Sequence, residues 1–319
     1  MVLPQPAAPR YERQPAYLAL LEAGELERRA QAARLHLANC DLCARYCRAD
    51  RRTGVRGAVC RTGGLAIVSG YGPHHGEERP LSGRAGSGTI FFSWCNLRCV
   101  YCQNWETSWR GTGYEVDAGG LAVMMLDLQA RGCHNINLVS PSHVVAQILE
   151  AVCIAARRGL RLPLVYNTGG YDSSEALALL DGVVDVYMPD MKYSDPAAAR
   201  RFSSVRDYWD VSRAAVLEMH RQVGDLVLDG HERARRGLLV RHLVLPGGIA
   251  GTEAVLGFLA SEISQETYLN LMDQYRPCYR AAEFPPLDRP LTRREFLDAV
   301  AVAHRKGLHR LDHELRRAA

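Results

Sequence analysis

Cys95, Cys99 and Cys102 fall on one short stretch, Cys95-Asn96-Leu97-Arg98-Cys99-Val100-Tyr101-Cys102, at C-x3-C-x2-C spacing. Three thiolates on one loop suit three irons of a [4Fe–4S] cluster and leave the fourth iron without a protein ligand. An open iron beside a reducing cluster is a place to bind and break a small molecule. Structural zinc sites close with four ligands, commonly as two C-x2-C pairs. A three-thiol loop that follows an apolar strand therefore reads better as a cluster than as a zinc staple or as bystander thiols.

Cys40, Cys43, Cys47 and Cys60 form a second group at C-x2-C-x3-C-x12-C spacing, surrounded by arginines and glycines. Four thiolates in so short a window suit either zinc or a second iron–sulfur cluster, and the glycines allow tight turns around the sulfurs. Such a centre is either a staple for a unit too small to fold alone or an electron relay, and only an iron–sulfur cluster can relay electrons. Cys133, Cys153 and Cys278 stand alone. Cys153 lies in an apolar helical run and reads as core.

The elements that must position these groups alternate along the chain. Residues 1–20 read as an extended arm, Leu21 to Leu37 as an amphipathic helix, residues 39–64 as the Cys-rich unit and 70–88 as loop. Strands are expected at 89–94, 134–140, 162–167, 183–188, 238–245 and 267–272. Helices are expected at 118–131, 142–159, 173–181, 195–222, 252–263 and 292–306. This alternation implies a parallel sheet with right-handed crossovers. The expected fold is α/β, an open six-stranded (β/α)6 partial TIM-type barrel with a small Cys-rich N-terminal unit. The expected domains are an arm and helix at 1–38, a metal-binding unit at 39–70 and the partial barrel at 71–319. In such barrels function sits at the C-terminal strand ends.

The strand ends carry further candidates. After the second strand come Ser140, Ser142 and His143, where Ser142 is either a ligand contact or the cap of the next helix. The third ends in Asn167-Thr168-Gly169-Gly170, where Asn and Thr can bond ribose hydroxyls and glycine admits close backbone approach. The fourth ends in Asp190-Met191-Lys192, whose carboxylate and ammonium share a face of an extended segment. They bind a ligand or simply pair with each other. On the fifth, Arg241 offers a bidentate contact to a carboxylate, while His242 faces the other way and reads as a satisfied core histidine.

The segment from Gly86 through Trp94, Cys102 and Trp105 resembles the cluster loop of radical S-adenosylmethionine enzymes, and is most similar to the branch of the pyruvate formate-lyase activating enzymes. Tyr101 before the third cysteine and Gln103-Asn104 after it carry the likeness, and Asp190-x-Lys192 is similar to the end of the equivalent strand in that branch. The resemblance implies that Cys95, Cys99 and Cys102 hold a [4Fe–4S] cluster. The open iron would chelate S-adenosylmethionine, and a 5′-deoxyadenosyl radical would abstract hydrogen from a substrate. It implies a cofactor site among Tyr101, Ser140, Ser142, Asn167, Thr168, Asp190, Lys192 and Arg241. The Gly-Gly-Glu segment common in the family after the second strand is replaced here by Ser140-Pro141-Ser142. A protein glycine is the activating-enzyme-like substrate and a small molecule the alternative. A reductant of flavodoxin or ferredoxin type is the implied partner. The reading from a different class is a non-catalytic iron–sulfur electron carrier or metal-dependent interaction module.

Composition bounds the rest. The chain has 319 residues, 47% hydrophobic and 23% charged, and ten cysteines. Ten cysteines without a signal-peptide pattern suit a reducing, cytoplasmic setting and metal chemistry rather than disulfides. No apolar run approaches the ~20 residues that span a bilayer. A net charge of +4 gives no reason to expect nucleic acid. Lys192 and Lys306 are the only lysines, against an abundance of arginine.

Overall fold

A computed structural model describes residues 14–312. Nine strands build one sheet: β1 (Ala66–His74), β2 (Ser87–Phe92), β3 (Tyr114–Val116), β4 (Ile136–Val139), β5 (Leu164–Thr168), β6 (Val186–Pro189), β7 (Val227–Leu228), β8 (Ala234–Leu243) and β9 (Tyr268–Met272). Six of them, β2, β4, β5, β6, β8 and β9, run parallel and neighbour one another in chain order. Helices connect them, as right-handed β-α crossovers require. Among the described residues β2 and β9 share no ladder, so the curved sheet stays open, the partial barrel that the alternation implies.

The expected strands and helices after residue 88 are present, with ends shifted by a few residues. Their borders have local causes. Asp117 caps helix Ala118–Ala130 through Gly120 N–H, Ser173 caps Ser174–Leu180 through Ala176 N–H, and Asp195 caps Pro196–Ser203 through Ala197 N–H. Thr292 and Glu295 form a reciprocal capping box on Arg293–Arg305. The single helix expected at 195–222 is two, Pro196–Ser203 and Tyr208–Val223, because Ser204 turns left-handed between them.

Three expectations need correction. The arm at 1–20 gives way to a helix at Tyr17–Glu22, while residues 1–13 lie outside the described part. The helix expected from Leu21 to Leu37 is broken by left-handed Gly24 into Tyr17–Glu22 and Glu25–His36. The supposed loop at 70–88 begins inside β1, which pairs antiparallel with β2 and carries β3 on its far edge. The Cys-rich unit therefore runs into the sheet without a linker.

Inside the barrel the lower layer is apolar: Val165, Met188, Leu239 and Tyr268 pack together with Leu81, which the 79–82 turn inserts from below. The upper layer is polar. Asn167, Asp190, Arg241 and Asn270 line up at the C-terminal strand ends, and Asn270 donates to the buried carboxylate of Glu78. Outside, Glu25–His36 lies on helix Val145–Arg157, with Arg34 paired to Glu150. No helix among the described residues is long and apolar enough to cross a membrane.

Candidate functional site

β2 ends at Phe92, and the chain turns through Trp94, which is left-handed, directly into the three-cysteine loop. Helix Trp105–Arg110 closes that loop. One cavity at the barrel mouth is lined by Cys95, Cys99 and Cys102 together with Ser140, Asn167, Thr168, Asp190, Lys192 and Arg241. Four strand ends and the loop thus deliver the candidate residues to one place.

Burial pushes the Cys95 thiol up to about 12, and the nearby Cys99 adds to the shift. Cys102 is raised for the same first reason. Left alone, these thiols stay neutral; a metal's charge is what makes them thiolates. Donors are already in place for sulfur. Leu97 N–H points at Cys95 Sγ (3.4 Å), the Ser108 hydroxyl donates to Cys102 Sγ (3.1 Å), and Ser203 Oγ lies 2.9 Å from Cys99 Sγ. Hydrogen bonds to cluster sulfurs tune reduction potential. Three partly exposed thiols on one cavity wall, each with a hydrogen-bonding neighbour, are a donor set that fits a [4Fe–4S] cluster. Among the described residues no three His, Cys, Asp or Glu side chains converge as the ligands of a single ion do. A cubane takes its thiolates one per iron, at separate corners, and makes no such demand.

The polar wall is a fixed network. Asp190 accepts from Lys192 Nζ (2.6 Å) and from Arg241 Nε (2.8 Å). Burial works against its ionisation, but Arg241 and Lys192 outweigh burial and hold its carboxyl below the ordinary value. Arg241 also donates to Asn167 Oδ1 (2.8 Å). Its fork is therefore spent on the protein rather than held open for a carboxylate. Asn167, its oxygen engaged, keeps its amide N–H groups for a ligand. Tyr208 stands behind this wall: its hydroxyl lies 2.8 Å from both Gly169 O and Asp190 O and accepts from Lys192 N–H (3.0 Å). Gly170 is left-handed, and a Cβ there would sit 2.2 Å from Asp190 O, so β5 and β6 can close up only with glycine at this position.

Other expected residues stand elsewhere. Ser140 lines the rim in a left-handed conformation, with its N–H on Asn167 O (2.9 Å). Ser142 is not on the cavity surface and is not a helix cap, since the helix begins at Val145 without a side-chain cap. It is buried with its hydroxyl 2.9 Å from Thr168 Oγ1, which itself donates to Asp172 (2.6 Å). Tyr101 also stays off the cavity: its ring meets Tyr193 and Tyr275 edge-on, and its hydroxyl accepts from Tyr193 (2.7 Å). His143 is buried with Nε2 on Ser93 O (3.0 Å), and His242 is satisfied by Met191 O and Thr252. Ser108, Ser203 and Tyr208 are the residues that sequence reading missed. Ser108 could be suspected from its place in the helix that directly follows the cluster loop, six residues past Cys102; nothing in the sequence marks the other two.

Cys40, Cys43 and Cys60 surround a buried cation, without converging as the ligands of a single ion do. Cys43 lies within electrostatic reach of Cys60, Cys40 and Cys47. The fully buried Arg51 directs Nη1 at Cys40 Sγ (3.3 Å). The unit sits against the three-cysteine loop: Arg45 donates to Asn96 O (2.6 Å), and Arg98 donates to Val59 O.

A protein of Methanocaldococcus jannaschii described as uncharacterized is 30% identical over 292 residues, covering 89% of this chain and 79% of that protein. Among solved structures, methylornithine synthase (PylB) aligns at 13% identity and TM-score 0.45 over 91% of this chain and 72% of that one. TYW1 with a lysine-pyruvate adduct aligns at 10% identity and TM-score 0.42 over 68% and 73%. The family model of the radical SAM superfamily matches residues 89–235, from β2 into β8, the stretch that holds the three-cysteine loop and the ends of β4, β5 and β6. Over residues 89–235 the chain is thus similar to the radical S-adenosylmethionine superfamily.

Proposed function

We propose that Cys95, Cys99 and Cys102 hold a [4Fe–4S] cluster, that the adjoining cavity binds S-adenosylmethionine, and that the chain abstracts hydrogen from a substrate at the barrel mouth. The superfamily implies such a cluster and this cofactor, and its members need a reductant. When bound, the pair supplies a 5′-deoxyadenosyl radical by one-electron cleavage of the sulfonium. The observation that carries the assignment is the shared cavity: three thiols and the polar strand ends line one wall.

The chain's own residues then have distinct tasks. Asn167 N–H groups and the Ser140 hydroxyl face the cavity as ligand contacts in the absence of a Gly-Gly-Glu segment. Lys192 keeps N–H donors beyond the one given to Asp190. Asp190 and Arg241 fix that wall, Thr168 and Ser142 stiffen β5 through Asp172, and Tyr101 braces the loop from behind. We read the chain as an N-terminal arm and helix (1–38), a Cys-rich metal-binding unit (39–70) and the catalytic barrel (71–319), fed by a flavodoxin- or ferredoxin-type donor.

For the substrate, Asp190-Met191-Lys192 supports a peptide glycine, by likeness to activating enzymes. One feature favours a small molecule. The segment after β9 lies against the cluster loop, with Arg280 N–H on Val100 O (2.9 Å) and Gln103 Nε2 on Gln274 O (3.2 Å), and we take this cover to favour a small molecule over a polypeptide. The test is anaerobic reconstitution, reduction and addition of S-adenosylmethionine. The expected product is 5′-deoxyadenosine, falling to background in Cys95→Ala, Cys99→Ala and Cys102→Ala. A fully loaded cluster that neither binds nor cleaves S-adenosylmethionine would instead indicate an electron carrier.

A further inference from the structure

Residues 40–65 form neither helix nor strand, and the apolar cluster internal to them is Ala49, Ala58 and Cys60 with Cys47 against it. A stretch of this length keeps one shape only if something other than apolar burial ties it. Its turns are unfavourable ones: Tyr46 and Arg48, either side of Cys47, and Arg61, next to Cys60, are all left-handed without being glycine. Along this stretch Cys40, Cys43 and Cys60 come to lie around Arg51.

Arg51 gives the second observation. Its guanidinium is buried and bonds Thr62 O (2.7 Å), His143 O (2.7 Å) and Cys40 Sγ (3.3 Å). Among the described residues no carboxylate pairs with it, and the ionisable groups around it are Cys60, Cys40 and Cys43. A buried cation without an anion is costly, and neutral buried thiols offer none. Four thiolates on zinc, or on an oxidised [4Fe–4S] cluster, make a dianionic centre that supplies the missing charge.

The third observation is reciprocal. Arg45, between Cys43 and Cys47, donates to Asn96 O (2.6 Å) and Ser204 O (2.8 Å). Arg98, between Cys95 and Cys99, donates to Val59 O beside Cys60 and to Ser108 O (3.4 Å), whose hydroxyl bonds Cys102 Sγ (3.1 Å). Each cysteine loop thus sends one arginine to the backbone of the other.

We propose that Cys40, Cys43, Cys47 and Cys60 hold a dianionic metal–thiolate centre with Arg51 as its buried countercation, and that this centre acts as a positioning device that holds the Cys95–Cys102 loop in place. The second half deepens the cluster reading above and rests on it; the first half does not. The test is metal and sulfide analysis of anaerobically purified full-length protein. The triple variant Cys95→Ala/Cys99→Ala/Cys102→Ala should keep one zinc or one iron–sulfur cluster per chain, whichever the wild type carries beyond its first cluster. Cys43→Ala/Cys60→Ala should lose that centre alone. Arg51→Met should lower its occupancy severalfold, and Arg51→Lys should restore much of it. Iron release from the remaining cluster to bathophenanthroline should quicken severalfold in Cys43→Ala/Cys60→Ala. It should also quicken in Arg45→Ala, which keeps every thiol and serves if the double variant does not fold. A wild type with no metal beyond a single cluster, or a metal-free triple variant of native circular dichroism, would overturn the centre. Unchanged iron release in folded Arg45→Ala and Cys43→Ala/Cys60→Ala would overturn the positioning role. Metal retained at the N-terminal set in a protein without any cubane spectrum would sink the cluster reading and leave the centre standing.

Discussion

Asp190 is the residue on which the cavity wall turns. It neutralises two half-buried cations, Lys192 and Arg241, at 2.6 and 2.8 Å. Removing the anion leaves Lys192 without its ion partner and Arg241 with only the more distant Glu77, at 3.9 Å, a loss toward the lower end of the about 3–5 kcal/mol that breaking a buried pair costs. Asp190→Asn is therefore expected to lower the unfolding free energy by about 3 kcal/mol and to weaken S-adenosylmethionine binding, because Asn167 loses the guanidinium that orients it. Urea unfolding and equilibrium dialysis on the reconstituted protein check this; a variant with unchanged stability would mean that water already screens the pair. The same pair shows what the sequence could disclose. Sulfur ligands announce themselves by type and spacing, and Asp-x-Lys by its place at a strand end. That Arg241 is consumed by Asp190 and Asn167 is a fact of register between β5, β6 and β8, which no local pattern encodes. Tyr101 and Ser142 were legible as neighbours of the site but not as groups facing away from it. That depends on Tyr193 and Asp172, which approach from other parts of the chain.

At the scale of elements, periodicity located every parallel strand and its helix because each strand is buried on both faces and each helix carries one apolar stripe. It missed β1, β3 and the two-residue β7; Ser69-Gly70-Tyr71-Gly72-Pro73 of β1 and Tyr114-Glu115-Val116 of β3 lack an apolar run and lie toward an edge of the sheet, where strands can be polar. It also fused helices that single left-handed residues divide. The element that most constrains the site is the short helix Trp105–Arg110, which ends the cluster loop at left-handed Gly111. A Cβ on Gly111 would sit 2.1 Å from the Trp94 ring, which Arg61 and Arg98 flank at 5.0 and 5.6 Å. Gly111→Ala must therefore pay the left-handed penalty, about 1–2 kcal/mol, and displace a packed indole, about 1–3 kcal/mol more. The expected outcome is a loss of about 2–5 kcal/mol in urea unfolding together with a shift of Trp fluorescence. A loss below about 1 kcal/mol would show that the ring has room to move.

The whole molecule is assembled by joining an N-terminal helical layer to the bottom of the barrel, and Asp185 makes that joint. Its two oxygens accept from Ala16 N–H and from Leu164 N–H, each at 2.9 Å, so one carboxyl spans the entering chain and β5. Burial is the dominant influence and raises its pKa to about 7 from an ordinary 3.8, although the two amides pull the other way. A group that holds its proton more tightly folded than unfolded stabilises the fold fully below the unfolded pKa, and loses that contribution as pH rises through the folded one. The window is thus pH 4 to 7, and the whole effect is about 4 kcal/mol. Asp185→Asn has no proton to lose there while keeping one acceptor for the amides. The stability difference, wild type minus Asp185→Asn, should therefore fall by about 2–3 kcal/mol between pH 5 and pH 7. Paired anaerobic urea titrations at several pH values measure it, with all other titrating groups cancelling between the two proteins. A difference that stays flat across that range would mean that the amides of Ala16 and Leu164 outweigh burial and keep Asp185 ionised.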